Sequence, residues 1–418
     1  MISSKEKEYA WFESLPSTWE FKKLKFVVNL RSEKVIDATD EVYVGLENIE
    51  SKTGKYLPAS NQEDQDIEGT SNKFYKGDVL FGKLRPYLAK CIESDFEGIC
   101  TTELLVLDTI KEKVLSTYLK YLLLSPKYID YVNSSTYGSK MPRANWEFIK
   151  NIEVPLPIIS IQNNIIKFIE YKTLEIDSLI YNKQNLVNLF EEKRQAIITE
   201  AVTKGLNSNV KMKDSGVEWI GEIPEHWGTI KAKYLFNEKS SKDHADKRLL
   251  SVSKGKGVIP RDEMEFKVVM AFKDLQNFKL VEKNDFVIHL RSFQSGFEMS
   301  EVKGIVSPAY TIFSLINEGS SRYFKYVFYS KVFIDAIAST TQSLRDGKPI
   351  SYSDFGNMLL MVPNLNEQID IANFIEDNLN SIDKLINSNK LAIGKLHEYR
   401  QSLIYETVTG KMDVRDLN

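Results

Sequence analysis

The stretch HEYRQSLIYETVT, His397 to Thr409, repeats EEKRQAIITEAVT, Glu191 to Thr203, and this echo decides how the chain is built. Arg194 and Arg400 stand 206 residues apart. A second echo opens each half: LPSTW, ending at Trp19, returns as IPEHW, ending at Trp227, 208 residues later. The chain has 418 residues, so the repeat fills it. A long internal repeat sets architecture before any local signal is read. Two copies in one chain predict approximate twofold symmetry, which suits a target that also has two parts.

Each half holds two kinds of text. Residues 16–157 and 223–363 are mixed and strand-like, with short apolar runs such as Val79-Leu80-Phe81, Leu104–Leu107, Phe286-Val287-Ile288 and Thr311-Ile312-Phe313. Gly, Asn and Asp break these runs. Both regions end at prolines, Pro155-Leu156-Pro157 and Met361-Val362-Pro363. A long helical stretch follows each, about 161–203 and 367–409, without Pro and with a single Gly, Gly394. The expected segments are 1–157, 158–208, 209–363 (linker included) and 364–418.

The first helical stretch places Ile165, Ile169, Lys172, Ile176, Leu179, Lys183, Leu186, Phe190, Lys193 and Ile197 at alternating steps of four and three. The second repeats the register with Ile371, Ile375, Asn378, Ile382, Leu385, Asn389, Ala392, Leu396, Tyr399 and Leu403. Such a seam belongs to a coiled coil. Each helix could pack on its own domain, but a period of 3.5 held over more than four heptads favours a long helical partner. Polar Lys172, Lys183, Asn378 and Asn389 would fix register. A helix over 165–197 is roughly 50 Å long. The connector Lys204–Gly221 would then lead into a second head, giving a dumbbell of α+β class.

Composition bounds the function. Hydrophobic residues are 42% and charged residues 27%, as in an ordinary globular protein of two or more domains. The net charge of −3 excludes a binder of polyanions by bulk charge, so such a site must come from local basic patches. Cys91 and Cys100 are expected to be buried apolar residues, and two cysteines in this length fit a reducing cytoplasm. No stretch of about 18 apolar residues predicts a membrane span, and the opening MISSKEKEYAWFESLP is no signal peptide. The four His show no metal-ligand spacing, and no phosphate loop, dinucleotide fingerprint or nucleophile elbow is present.

Each half does carry basic, glycine-containing loops after its strands. GDVLFGKLRPY (Gly77–Tyr87) offers Lys83, Arg85 and Tyr87; its counterpart NDFVIHLRSFQSG (Asn284–Gly296) offers Arg291, Ser292 and Gln294. YGSKMPR (Tyr137–Arg143) offers Ser139, Lys140 and Arg143, and SLRDGKP (Ser343–Pro349) offers Arg345 and Lys348. SKGKG (Ser253–Gly257) adds Lys254 and Lys256. Arg and Lys hold phosphates, Arg pairs with guanine, and Gln pairs with adenine. Singly, any of these could be a solvated turn; their recurrence in both halves favours binding.

The motifs GVEWIGEIPEHW (Gly216–Trp227), GDVLFGKLRPYL (Gly77–Leu88), LLSVSKGKGVIP (Leu249–Pro260), LRSFQSGFEMS (Leu290–Ser300) and the paired Arg-Gln helix segments resemble the specificity subunit of type I restriction–modification systems. The resemblance covers the whole chain. It implies two target recognition domains that each read half of a split DNA sequence, spaced by an antiparallel coiled coil. It also implies a non-catalytic, cytoplasmic chain without cofactor of its own, docked to two methyltransferase and two restriction subunits. Those partners would bring S-adenosylmethionine, ATP and Mg. One departure concerns helix entry: Asn366-Glu367-Gln368 fits the family's Glu-Gln pattern, whereas the first copy has Ser160-Ile161-Gln162, with Ser160 as the expected N-cap. A structural dumbbell whose heads bind protein, or an enzyme in its own right, are the rival readings. The absence of a nucleotide or S-adenosylmethionine motif opposes the second.

Overall fold

In the computed structural model the described residues are 11–12, 15–36, 41–58, 69–138, 140–264, 274–288, 297–339 and 350–414. The chain forms two compact units, Met1–Gln184 with Lys390–Asn418, and Asn185–Asn389. The division runs through both long helices, Ile159–Lys204 and Leu365–Val408, so each unit owns one head and one end of each helix.

The head of the first unit is built on a four-stranded antiparallel sheet. Its order is Val28–Arg31, Leu104–Thr109, Val79–Gly82, Cys91–Glu93. Successive strand residues face opposite sides, and both sides are apolar here. Val79, Phe81, Leu105 and Leu107 enter the main core, while Leu80, Leu104 and Val106 enter a smaller one with Val44, Ile49 and Phe74. That is why these strands read as unbroken hydrophobic runs. A second sheet, Lys34–Ile36, Thr70–Phe74, Gly98–Cys100, Tyr43–Val44, ends in a parallel pair. Helices Ser116–Leu124 and Pro126–Ser134 cover the main core. Cys91 and Cys100 are free and buried, and burial pushes the Cys100 thiol up to about 12.

The second head repeats the plan. Its central sheet runs Phe236–Lys239, Thr311–Leu315, Phe286–Ile288, Phe297–Met299, strand for strand the order of the first. Helices Ser321–Tyr329 and Lys331–Ser339 take the matching places. Here the core is aromatic: Phe236, Phe286, Phe297, Phe313, Phe328 and Phe355 pack with mostly edge-on and tilted rings, as at 4.8 Å between Phe297 and Phe355, and with Phe286 stacked on Phe313. Such arrangements suit the ring quadrupoles.

In each unit the two long helices run antiparallel. In the first, Ile165 and Ile169 near the start of one helix share a core with Ile404 and Val408 near the end of the other. In the second, Ile198, Ala201 and Val202 share a core with Ile371, Ile375 and Leu379, and Val187 packs on Ile382 and Ile386. Repeat-related ion pairs cross between the helices. Arg400 Nη1 donates to Asp177 at 2.9 Å in the first unit. Arg194 stands 3.6 Å from Asp383 in the second.

The expected seam needs correction at every second step. Ile165, Ile169, Ile176, Ile371, Ile375, Ile382 and Leu403 are buried, and Phe190, Ile197 and Leu396 are half-buried. Leu179, Leu186 and Leu385 instead stand 49%, 43% and 46% exposed. The inward positions are their neighbours Ile180, Val187 and Ile386, and likewise Thr173, Leu379 and Arg400. A helix turns about 100° per residue, so only one member of an adjacent apolar pair can face inward. At Leu179-Ile180, Leu186-Val187 and Leu385-Ile386 the sequence offers two adjacent apolar residues and fits either register.

Helix entry differs from expectation as well. Ser160 lies inside the helix that begins at Ile159. Gln162 does the anchoring: its side chain accepts from the Leu115 N–H at 2.9 Å and donates to the carbonyls of Lys113 and Pro157. Gln368 repeats this with the Ser320 N–H and the Pro363 carbonyl. Glu367 faces outward and pairs with His226 at 3.0 Å.

Each helix end is sealed the same way. Gly205 and Gly410 both adopt left-handed backbone, φ +73° and +71°, which glycine permits without steric cost. A Cβ on Gly205 would lie 3.2 Å from the Trp227 ring; one on Gly410 would lie 3.2 Å from Trp19 and 2.6 Å from Pro16.

Candidate nucleic-acid interface

In the first unit the strand Val79–Gly82 delivers the loop Lys83–Tyr87. Arg85 sits in left-handed backbone, φ 49° and ψ 62°, ahead of Pro86; proline disfavours the right-handed helical region for the residue before it. The loop Tyr137–Ala144, some 55 residues later, is laced to it. The Arg85 N–H donates to the Pro142 carbonyl at 2.7 Å, and the Ala144 N–H to the Lys83 carbonyl at 2.9 Å. Tyr137 and Arg143 exchange two backbone hydrogen bonds at 3.2 and 3.1 Å. Two loops chosen separately from the sequence therefore form one surface, on which Lys83, Arg85, Tyr87, Lys140 and Arg143 stand together with exposed Tyr137 and Met141. Arg85 Nε is buried with no hydrogen-bond partner among the described residues.

A cleft of about 300 Å³ opens beside these loops, lined among others by Arg31, Lys34, Asn72, Lys83, Tyr137 and Arg143. The cations on its wall are not equivalent. Arg31 is committed to the fold: it donates to buried Asp78 at 2.9 and 3.1 Å and lies 4.7 Å from the Tyr75 ring. The hydrogen bond to Asp78 raises its pKa. Asp78 also accepts from the Tyr75 N–H, closing the turn before the central strand. Asp285 repeats the device with the Glu282 N–H and Lys239. Lys34 donates to Asn72, whose own amide is held by the Leu104 carbonyl at 3.1 Å. Arg143 Nε donates to both oxygens of Glu103, at 3.0 and 3.2 Å.

In the second unit Lys254 and Lys256 are exposed on the hairpin joining Leu250–Ser253 to Gly257–Pro260. Buried Glu298 holds that hairpin, accepting from the Gly255 and Gly257 N–H groups at 2.7 and 3.1 Å and from the Tyr329 hydroxyl. Burial raises the Glu298 pKa despite these donors. Tyr329 in turn accepts Gln195, from the first long helix, on its carbonyl at 2.8 Å. Ser139, Arg291, Ser292, Gln294, Arg345 and Lys348 lie outside the described residues. Glu103, Glu298 and Asn72 escaped the sequence reading, and Gln162 and Gln368 entered it only as letters of the helix-entry pattern; Asp78 and Asp285, 207 residues apart in the two counterpart stretches, were visible as matched positions of the repeat. Among the described residues no cluster of His, Cys, Asp and Glu could hold a metal, and no helix is long and apolar enough to cross a membrane.

Residues 16–188 match the family model described as type I restriction modification DNA specificity domain. The chain is 23% identical to the type I restriction enzyme EcoDI specificity subunit of Escherichia coli, over 51% of this chain and 46% of that one. It is 22% identical to the MjaVIII specificity subunit of Methanocaldococcus jannaschii, over 97% and 95% of the two chains. Among solved structures, a chain from work on complex assembly and conformational transition of the type I R-M system superposes with TM-score 0.71 at 16% identity, covering 96% of this chain and all of that one. The HsdS subunit from Thermoanaerobacter tengcongensis gives TM-score 0.50 at 16% identity, with 95% and 98% covered. These two likenesses establish the fold. With the family model over residues 16–188 and a relative matched along nearly its whole length, the chain is similar throughout to the specificity subunits of type I restriction–modification systems.

Proposed function

We propose that the chain reads a two-part sequence in double-stranded DNA, each head reading one half, while the helix pair sets the number of unread base pairs between them. The observation that carries this is the lacing of two basic loops in the first head, which gathers Lys83, Arg85, Tyr87, Lys140 and Arg143 on one surface. Cations for phosphates beside polar and aromatic groups for base edges are what a DNA-reading surface needs. In the second head the hairpin joining Leu250–Ser253 to Gly257–Pro260 supplies Lys254 and Lys256, with Arg291, Ser292, Gln294, Arg345 and Lys348 as further candidates. Methyl transfer and cleavage belong to two methyltransferase and two restriction subunits, which bring S-adenosylmethionine, ATP and Mg. Exposed Tyr171, Leu174, Tyr181 and Leu391 on the helices of the first unit offer such partners an apolar surface.

The test is domain exchange. Replacing residues 16–157 by those of a relative with another target should change one half of the methylated sequence and leave the other half and the gap intact. Sequencing of methylated positions in cells carrying the assembled system reads this directly. A change in both halves would sink the assignment.

A further inference from the structure

Resting on the DNA-reading role of the first head, we propose that Arg143 reads a guanine in the first half-site, and that Glu103 is the positioning residue that aims it. An arginine can meet a carboxylate through any edge of its guanidinium, and the edge used decides what remains. Here both Glu103 oxygens are taken by Nε, at 3.0 and 3.2 Å. Among the described residues no acceptor occupies Nη1 or Nη2 of Arg143. The free pair of nitrogens is the fork that spans guanine O6 and N7. Pinning by Nε fixes the plane of the fork before DNA arrives, so less side-chain freedom is lost on binding. The backbone is fixed too, by the paired bonds to Tyr137 and by Lys83, whose N–H donates to the Glu103 carbonyl at 3.0 Å. Glu103 and Arg143 are thus held by one hydrogen-bonded lattice.

The other cations near the cleft are less suited. Arg31 spends Nε and Nη2 on Asp78 and so has no free fork. Lys34 and Lys83 carry single ammonium groups, which neutralise charge but impose no planar pairing. Exposed Tyr137 and Met141 flank Arg143 in the same loop and offer apolar contact to a neighbouring base.

The experiment uses the full chain assembled with its methyltransferase partners. Binding is measured on duplexes in which each base pair of the first half-site is replaced in turn, and on duplexes with 7-deazaguanine, which lacks the N7 acceptor. One position should demand G·C. Arg143→Lys keeps the charge but loses the fork, so it should lower that preference about 5- to 150-fold and leave other positions and the salt slope unchanged. Glu103→Gln should weaken the same preference by less, with melting temperature and non-specific affinity retained. The 7-deazaguanine substitution at that position should weaken the unaltered complex and add nothing in Arg143→Lys. Preferences untouched in Arg143→Lys, or an equal 7-deazaguanine effect in both proteins, would overturn the proposal. An unaltered complex with no preference anywhere in the first half-site would overturn the DNA-reading role itself.

Discussion

At the scale of single residues, buried polar groups carry most of the specification. Glu298 shows this well, because its carboxylate is buried yet accepts two backbone N–H groups and a tyrosine hydroxyl. Its pKa is raised, with burial the largest cause. The folded protein therefore holds this proton to higher pH than the unfolded chain does. Stability from this group is complete below the ordinary carboxyl range and is lost as pH rises through the raised folded value. Glu298→Gln cannot titrate there. In urea unfolding between about pH 4 and pH 8 the unaltered protein should lose stability relative to the variant as pH rises; a difference constant across that range would count against this account. Little of this was readable in the sequence. Glu103 and Arg143 meet through their side chains, and Lys83 ties them together by backbone hydrogen bonds to Glu103 and Ala144; no local pattern announces such a meeting between distant loops. Asp78 and Asp285 were visible as matched letters, but their task, closing the turn before a buried strand, needs the structure.

At the scale of elements, strands and helices were largely legible, and the seam shows where legibility stops. The runs that read as strands are strands because both faces of the central sheet are buried. The long helices were read from apolar spacing and lack of proline, and they form over Ile159–Lys204 and Leu365–Val408. The choice between Leu385 and Ile386 could not be made from spacing, since both are apolar and adjacent. The structure buries Ile382 and Ile386 against Val187 and leaves Leu385 half in water. Ile382→Ala should cost about 2–5 kcal/mol. Leu385→Ala, one helix turn away, should stay within about 0.5 kcal/mol. Equal losses in chemical denaturation would show that the expected register was right after all.

At the scale of the whole molecule, the repeat seen in sequence is a repeat of topology, with the same strand order in both heads. The twin glycine seals add something the linear sequence hides. Trp227 caps the helix that precedes it by a short connector, whereas Trp19 caps the helix that ends almost 400 residues downstream. Trp11 and Phe12 likewise share a core with Val414. In connectivity, then, each half repeats the order head then helix, and each helix end is sealed by a tryptophan from the start of a head. A circular permutant that joins residue 418 to residue 1 through a short Gly/Ser linker and opens between Asn207 and Val210 keeps both seals and both cores. It should unfold cooperatively at a midpoint close to that of the parent, followed by circular dichroism; loss of a folded first head would show that the two joints are not interchangeable. A protein organised this way can be rewritten from either seam, and new pairings of heads can arise by recombination at two equivalent places.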